Sequence, residues 1–382
     1  MKFKVENIDE WLCTVLLLCL IPIFFVWENN LHVVLTLLIS IIFLKNINSL
    51  NDKKRIIFSI LYLLLYLIMA VRGDTLNSAI YTLSLASLFF VKPSFLIEVY
   101  EKFVIVFSII ISVSIFFYCL FLLGINLPYQ ELKLKNTLGG ICRLYPFFVL
   151  VLDLNNVIMF RFSGYFDEPG VVGTICAVIL LSSKLNLKEK KNIPILLAGF
   201  LSFSLFFYLI LLIYILLFTK TKYKLITIFF VGAAVLILIN NEFFNAIMLG
   251  RLNFENGSLS GNNRTTIYFD NWYQNYTESI NFYFGFGSNY ITKNFPECAS
   301  YKNIVVNQGF LFFSMFIGTF VLYGWSALKF SKEFFIYLLI LFSVIYQRPF
   351  IEKPIYIFLI YVPIFILKQQ RENYKQQNLR LE

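Results

Sequence analysis

Long apolar runs recur from one end of the chain to the other, and this pattern constrains the fold more than any other feature of the sequence. Hydrophobic residues make up 59% of the 382 residues and charged residues only 14%, with a mean hydropathy of +0.75. A soluble fold could not bury so much apolar surface. The sequence therefore predicts an all-α polytopic integral membrane protein, a single transmembrane domain over residues 1–382.

The apolar runs predict about twelve transmembrane helices. Several runs are shorter than the ~20 residues that cross a bilayer comfortably, so their ends must include polar residues. The candidate spans are 11–27, 31–44, 56–71, 76–91, 103–123, 169–183, 225–239, 304–327, 334–346 and 354–367. The run 193–218 is long for one helix and short for two.

Lysine placement decides how the run 193–218 is interpreted. Lysines cluster at 184–191 before it and at 220–224 after it. Cytoplasmic loops are enriched in basic residues, so both clusters are placed in the cytoplasm. The run must then cross outward and return, with its turn near 199–204. Ten crossings with a re-entrant loop would fit the same charges.

This topology leaves two long outer loops, at about 124–168 and 240–303. The segment Tyr145–Phe160 is assigned to the first loop as an interfacial or re-entrant element, because it carries Asp153, Asn155 and Asn156. The net charge of +10 follows mostly from the inside bias of lysine and does not indicate a nucleic-acid partner.

No Asp, Glu, Lys or Arg lies within a predicted span. Ion-coupled transporters usually need ionisable groups at membrane depth, so the pattern disfavours transport. Chemistry or binding is instead expected on the surface that the outer loops form.

Arginines and lysines separate across the predicted topology. The cytoplasmic side holds 18 of 23 lysines, whereas six of nine arginines lie outside: Arg72, Arg143, Arg161, Arg251, Arg264 and Arg348. The guanidinium group binds phosphate and carboxylate in a bidentate way. The pattern indicates a membrane-embedded anion such as a lipid diphosphate. Pairing with loop carboxylates or lipid headgroups is the open alternative.

The densest polar cluster is Arg161-Phe-Ser-Gly-Tyr-Phe-Asp-Glu-Pro-Gly-Val-Val-Gly173, directly before an apolar helix. Helix N-termini favour anions, and a carboxyl beside an apolar wall has a raised pKa and can act as a base. The alternative is that Asp167 or Glu168 only caps the helix, with Pro169 in its first turn.

The second outer loop combines basic, amide and aromatic residues. Arg251 is followed by Gly261-Asn-Asn-Arg-Thr-Thr266, and then by Tyr268, Phe269, Trp272, Tyr273 and Tyr276. Rings stack on sugar faces and amides pair with hydroxyl groups, so Asn262, Asn263 and Tyr268 are candidate sugar-binding residues. Tyrosine and tryptophan also favour membrane interfaces, which is the alternative explanation.

The segment 161–173 resembles the signature of bacterial O-antigen polymerases of the Wzy type, in which R-x-S-G-x-x-x-E-P-G leads into a transmembrane helix. Gly199-Phe-Leu-Ser-Phe-Ser-Leu-Phe-Phe-Tyr208 resembles the next family segment. Gly261 to Arg264, Phe284-Gly-Phe-Gly287 and Asn307-Gln-Gly309 follow in the family's order. The resemblance covers residues 120–345 and is most specific at 161–173.

The resemblance implies a glycosyltransferase with a GT-C-like membrane fold in the bacterial inner membrane. It would join undecaprenyl-diphosphate-linked oligosaccharide repeat units at the periplasmic face during lipopolysaccharide synthesis. The donor diphosphate would be held by Arg161, Arg264, Arg251 and Arg143. A carboxylate, Glu168 in preference to Asp167, would accept the proton of the acceptor hydroxyl or position that hydroxyl. No metal or cofactor is implied, because the lipid diphosphate is itself the activated donor. A chain-length regulator and a flippase are candidate protein partners.

Three other functions are weighed against polymerase. The related O-antigen ligases carry a catalytic-loop histidine in the region that matches residues 298–309. This chain has no histidine there, so a ligase of the same superfamily is disfavoured. A capsule or exopolysaccharide polymerase would share the same site. A lipid-linked oligosaccharide flippase, from a different class, would be expected to line its spans with polar residues.

Overall fold

The computed structural model of the chain is largely helical. It describes residues 8–22, 31–47, 52–72, 76–133, 141–151, 161–225, 254–255, 258–259, 265–288, 290–296, 298, 300–351 and 353–379. The helices are α1 (Ile8–Cys19), α2 (Leu31–Lys45), α3 (Lys53–Val71), α4 (Leu76–Phe90), α5 (Pro93–Leu122), α6 (Pro169–Ser182), α7 (Asn192–Leu201), α8 (Leu205–Phe218), α9 (Ile267–Thr277), α10 (Asn281–Phe284), α11 (Tyr290–Asn294), α12 (Lys302–Gln308), α13 (Phe310–Leu328), α14 (Lys332–Gln347) and α15 (Pro354–Leu379). The strands are β1 (Gln130–Lys133), β2 (Ile141–Leu144), β3 (Val149–Val151), β4 (Phe254–Glu255) and β5 (Ser258–Leu259).

Within the described ranges, three helices, α3, α5 and α13, are long and apolar enough to cross a membrane. Helices α2, α6, α7 and α8 are apolar but have only 10–17 residues. At ~1.5 Å per residue, these four are shorter than the ~30 Å hydrocarbon core. Its three long apolar helices make the chain an α-helical membrane protein. Most of the predicted span 225–239 lies outside the described residues.

Helices α2, α4 and α6 match their predicted spans closely, and two other predicted spans differ in an informative way. Helix α5 begins at Pro93 rather than at 103, because proline suits the first turn of a helix and the polar turn that follows it extends α5 beyond its apolar run. The predicted span 304–327 is broken at Gly309, whose φ of +93° is not helical.

The run 193–218 is divided where the lysine pattern placed its turn. Helix α7 ends at Leu201 and α8 begins at Leu205. Between them Phe203 has a φ of +46°, and the hydroxyl of Ser204 accepts a hydrogen bond from the N–H of Phe207 (3.5 Å).

Two helices form the centre of the molecule. Every residue of α6 from Val171 to Ser182 is buried, and so is α15 from Pro354 to Phe365. Helix α6 packs against α7, α8, α14 and α15, and α15 also packs against α4, α5, α13 and α14. Because other helices cover these two stretches on all sides, both lie in the interior of the helical body. The polar segment before α6 therefore meets the end of a central helix.

A small antiparallel sheet lies in the first predicted outer loop, and the all-helical prediction did not include it. Strand β2 pairs with β1 and with β3, and Glu131 lies opposite Arg143. The segment 145–160 was predicted to be interfacial or re-entrant. Its described part contains β3, where Val149 and Leu150 are buried.

Candidate functional site

The segment 161–168 leads into α6 and is fixed by hydrogen bonds to distant parts of the chain. The N–H of Phe162 donates to the carbonyl of Leu201 at the end of α7 (3.0 Å). The N–H of Asp167 donates to the carbonyl of Pro22, beyond the end of α1 (3.2 Å). The polar cluster that the sequence singled out is thus built into the helical core.

Arg161 lies at the carboxyl end of α7. Its Nε donates to the carbonyl of Ser202 (3.2 Å) and its Nη2 to that of Phe203 (3.3 Å). The last carbonyl groups of a helix have no partner inside the helix, and a cation stabilises that end. These contacts give Arg161 an architectural role, joining the α7–α8 turn to the segment before α6.

The glycines of the motif allow close contacts. A Cβ on Gly173 would lie 2.6 Å from the Cβ of Ser204, and a Cβ on Gly170 would lie 2.8 Å from Nη2 of Arg348. Glycine at these positions lets the α7–α8 turn and Arg348 approach the first turns of α6. The segments 161–173 and 199–208, which the resemblance treats separately, are therefore in direct contact.

Glu168 forms an ion pair that the sequence did not predict. Nη2 of Arg348 donates to Oε2 of Glu168 at 2.9 Å; 5% of the Arg348 side chain and 50% of the Glu168 side chain are exposed. Glu168 occupies the N-cap position of α6, but its side chain makes no capping hydrogen bond. The capping explanation therefore does not account for Glu168.

Arg348 was grouped with the outer arginines in the sequence but was not assigned to the site. It follows the last residue of α14 and pairs with the start of α6, while Lys184 pairs with Glu333 at the opposite ends of the same two helices (2.6 Å). The two ion pairs join the antiparallel helices at both ends. The sequence could have indicated this pair, because Arg348 follows an apolar run and lies on the same predicted outer side of the membrane as Glu168.

Asp167 is the more buried of the two acids of the site. Its Oδ1 is buried without a hydrogen-bond partner in the described part of the chain. Burial raises the pKa of the Asp167 carboxyl to about 8, and the neighbouring Glu168 carboxylate adds to the rise, whereas Arg348 and backbone N–H groups lower it by less. At neutral pH this carboxyl is mostly protonated.

The arrangement combines a carboxyl that titrates near neutral pH with an adjacent carboxylate–guanidinium pair. A group with a pKa near the working pH is suited to both accepting and donating a proton. The half-exposed Glu168 connects this centre to the protein surface. The geometry thus provides for acid–base chemistry at the start of α6, with Asp167 as the titrating group.

Arg143 lies on the small sheet and is paired there. Its Nε donates to Oε1 of Glu131 on the adjacent strand (3.1 Å), and its guanidinium lies 4.6 Å from the centre of the Tyr129 ring. A cross-strand ion pair of this kind stabilises the sheet. The structure thus gives Arg143 a local partner, as the alternative explanation of the outer arginines foresaw.

The predicted sugar-binding loop is described only from residue 265 onward, with short pieces before it. Tyr268 is 73% exposed, whereas Phe269 and Tyr276 are buried in a small core with Ile291 and Val306. Among the five aromatic residues of the prediction, Tyr268 is the most exposed, and Trp272 and Tyr273 are half-buried. Arg251, Asn262, Asn263 and Arg264 lie outside the described residues.

Two glycine-containing segments that the resemblance identified also meet. The N–H of Phe286 donates to the carbonyl of Val306 (2.8 Å) and that of Gly287 to Asn307 (2.9 Å). A Cβ on Gly285 would lie 2.5 Å from the backbone nitrogen of Gly309, so this contact requires glycine.

Comparisons of the chain with protein-family models, with curated proteins and with solved structures give no significant match.

Proposed function

We propose that the protein is an O-antigen polymerase, a glycosyltransferase that joins undecaprenyl-diphosphate-linked oligosaccharides. The observation that carries this proposal is the cluster of Asp167, Glu168 and Arg348 at the start of a central helix. It combines a titratable acid with a fixed guanidinium in a protein whose long apolar runs carry no Asp, Glu, Lys or Arg. The sequence resemblance at 161–173 adds the reaction class.

The fold that goes with this proposal is GT-C-like, with about twelve crossings and both chain ends in the cytoplasm. The loops at about 124–168 and 240–303 are then periplasmic, in a multi-pass protein of the bacterial inner membrane. Both the helix break between α7 and α8 and the lysine clusters on either side of it support this count.

In the proposed reaction the hydroxyl oxygen of the acceptor sugar forms a bond to the anomeric carbon of the donor glycan. The bond from that carbon to the phosphate oxygen breaks, and undecaprenyl diphosphate leaves with the bonding electrons. The hydroxyl proton passes to the ionised carboxylate of Asp167, a group whose pKa is raised by burial. If the diphosphate binds near Arg348, the guanidinium group would stabilise the negative charge that develops on the leaving group in the transition state.

We assign the proton to Asp167 rather than to Glu168, the residue preferred from the sequence. Glu168 is engaged by Arg348 in an ion pair of 2.9 Å, which occupies its carboxylate. Its proposed role is to orient Arg348 and, with its exposed half, to contact the acceptor.

The test is deletion of the gene followed by complementation. The deletion strain should produce lipopolysaccharide with a single repeat unit instead of a ladder on a gel. Total loss of O-antigen would favour a ligase or flippase, and an unchanged ladder with a lost capsule would favour a capsule polymerase. Complementation with Asp167→Asn should fail to restore the ladder although the protein accumulates in the membrane.

Arginine variants distinguish residues that bind the diphosphate from residues that stabilise the fold. Arg264→Ala should abolish the ladder if this loop arginine binds the donor diphosphate. Arg143→Ala is the matched control, because its partner Glu131 lies on the sheet surface, and it should retain the ladder. A normal ladder from Arg264→Ala would remove that residue from the proposed site.

A further inference from the structure

The short helix α10 presents an apolar face outward. Ile280 directly precedes α10, and Tyr283 and Phe284 follow it by three and four residues, a spacing that places all three on one side of a helical turn. Their exposed fractions are 70%, 47% and 56%. Phe282 is directed inward instead, and its ring stacks on that of Phe310 with the ring centres 5.0 Å apart. The turn therefore keeps one ring in the protein and leaves three large apolar side chains outside.

This face continues onto α3 and α13, two helices that are long and apolar enough to cross a membrane. Val71 ends α3, Phe310 and Leu311 begin α13, and all three side chains are exposed. A Cβ on Gly309 would lie 2.5 Å from the carbonyl carbon of Phe284, so α10 lies directly against the start of α13. Helices α3 and α13 also pack against each other. The exposed side chains of the three helices thus form one apolar surface.

Arg72 fixes the position of this turn relative to α3. Its guanidinium donates to the carbonyls of Phe284, Gly285 (3.0 Å) and Gln308 (3.0 Å). The N–H of Ser288 donates in return to the carbonyl of Arg72 (3.2 Å). Because Arg72 directly follows α3, these bonds hold α10 and the start of α13 at the level where α3 ends. The apolar face of α10 therefore lies where a spanning helix leaves the bilayer, and not at the tip of a projecting loop.

Helix α9, which precedes the turn, has the opposite character. The exposed side chains of its last two turns and its C-cap are all polar: Asn271, Gln274, Asn275, Thr277 and Glu278. The exposed surface then changes to isoleucine, tyrosine and phenylalanine within about one helical turn. A change of this kind is typical of an element that lies at the boundary between water and the hydrocarbon of a membrane.

We propose that Ile280, Tyr283 and Phe284 insert into the interfacial layer of the bilayer beside α3 and α13 and anchor the second predicted outer loop to the membrane. Exposed apolar patches mark contacts with a membrane or with another protein. The occupant is phospholipid, because the face is uncharged and continuous with the exposed side chains of two helices that can cross a membrane. The anchor holds the small aromatic core around Phe269 and Tyr276 at the membrane surface. It does not depend on the glycosyltransferase reaction.

The experiment uses the full-length protein reconstituted at one copy per phosphatidylcholine nanodisc. Ile280→Cys and Phe284→Cys, with Gln274→Cys on the polar face of α9 as the matched control, are each labelled with a fluorophore, and the labelling of the parent protein's own cysteines is subtracted. All three side chains are exposed, so the substitutions should preserve the fold. Phospholipids with a nitroxide near the headgroup should quench the labels at 280 and 284 about threefold more than the label at 274. Iodide in the water should quench them in the opposite order.

Three results would overturn the proposal. Iodide quenching at 280 and 284 as strong as at 274 would show that the face is open to water. Protection of both positions from iodide and from the nitroxide would show that the chain itself covers the face. Iodide access in nanodiscs that is lost at high protein density in vesicles would assign the face to a second copy of the chain. None of these measurements depends on ladder formation, so the anchor and the polymerase can fail separately.

Discussion

Asp167 shows how position alone changes the chemistry of a residue. An aspartate in the unfolded chain has a pKa of about 3.9, but burial raises the pKa of Asp167 in the folded protein to about 8. Between these two values the folded state binds more protons than the unfolded state, so the contribution of Asp167 to stability is largest below about pH 4 and is lost as the pH rises toward 8.

The first prediction follows from this difference. The free energy of unfolding of the parent protein should fall as the pH rises from about 5 to 8, by up to ~1.4 kcal/mol per pH unit. The unfolding temperature should fall with it. Asp167→Asn removes the titrating group and should flatten that dependence. Thermal unfolding of both proteins across this pH range is the measurement, and parallel curves would show that Asp167 does not titrate there.

The Glu168–Arg348 pair leads to a second prediction. Glu168→Ala leaves the buried guanidinium of Arg348 without its ion-pair partner, whereas Arg348→Met leaves a carboxylate that is already half exposed to water. Leaving a buried charge without its ion-pair partner costs about 3–5 kcal/mol. Glu168→Ala should therefore lower the unfolding temperature more than Arg348→Met does, and the reverse order would contradict the assigned burial.

Among the elements, the contact between α6 and the α7–α8 turn depends on a missing side chain. Gly173→Ala would bring a methyl group within 2.6 Å of the Cβ of Ser204 and should destabilise the protein by about 1–3 kcal/mol. Gly318→Ala on α13 is the control: no atom from another described part of the chain lies within 4 Å of its added methyl group, so higher helix propensity should leave stability unchanged or improved. Equal effects of the two substitutions in a thermal unfolding assay would argue against the close contact.

The elements also show where sequence patterns succeed. Lysine clusters on both sides of 193–218 predicted its division, because insertion bias acts through the chain's own charges. The break at Gly309 was missed because residues 304–327 read as one apolar run. At Gly309 the backbones of Tyr283 and Gly285, from another segment, lie in close contact, and the local sequence does not show that contact. The three-stranded sheet was missed for a similar reason, since short strands depend on pairing partners and carry little signal of their own.

At the scale of the whole molecule, the topology can be tested directly. Cysteine placed at the exposed Gln130 should react with an impermeant maleimide in intact spheroplasts, whereas cysteine at the exposed Lys188 should react only after the membrane is permeabilised. The parent protein with its native cysteines is the control for background labelling. The opposite pattern would invert the topology and place the cluster before α6 in the cytoplasm.

The sequence by itself determined the class of the molecule, the positions of helices such as α2, α4 and α6, and the segment where the polar cluster lies. These properties follow from local quantities: hydropathy, charge and the conformational preferences of glycine and proline. Only the tertiary structure decided which groups act on each other. Arg348 is 180 residues from Glu168 in the chain and becomes its partner because α6 and α14 pack antiparallel. Asp167 differs from Glu168 because the fold buries one carboxyl and leaves the other half exposed, and burial cannot be read from two adjacent acidic residues.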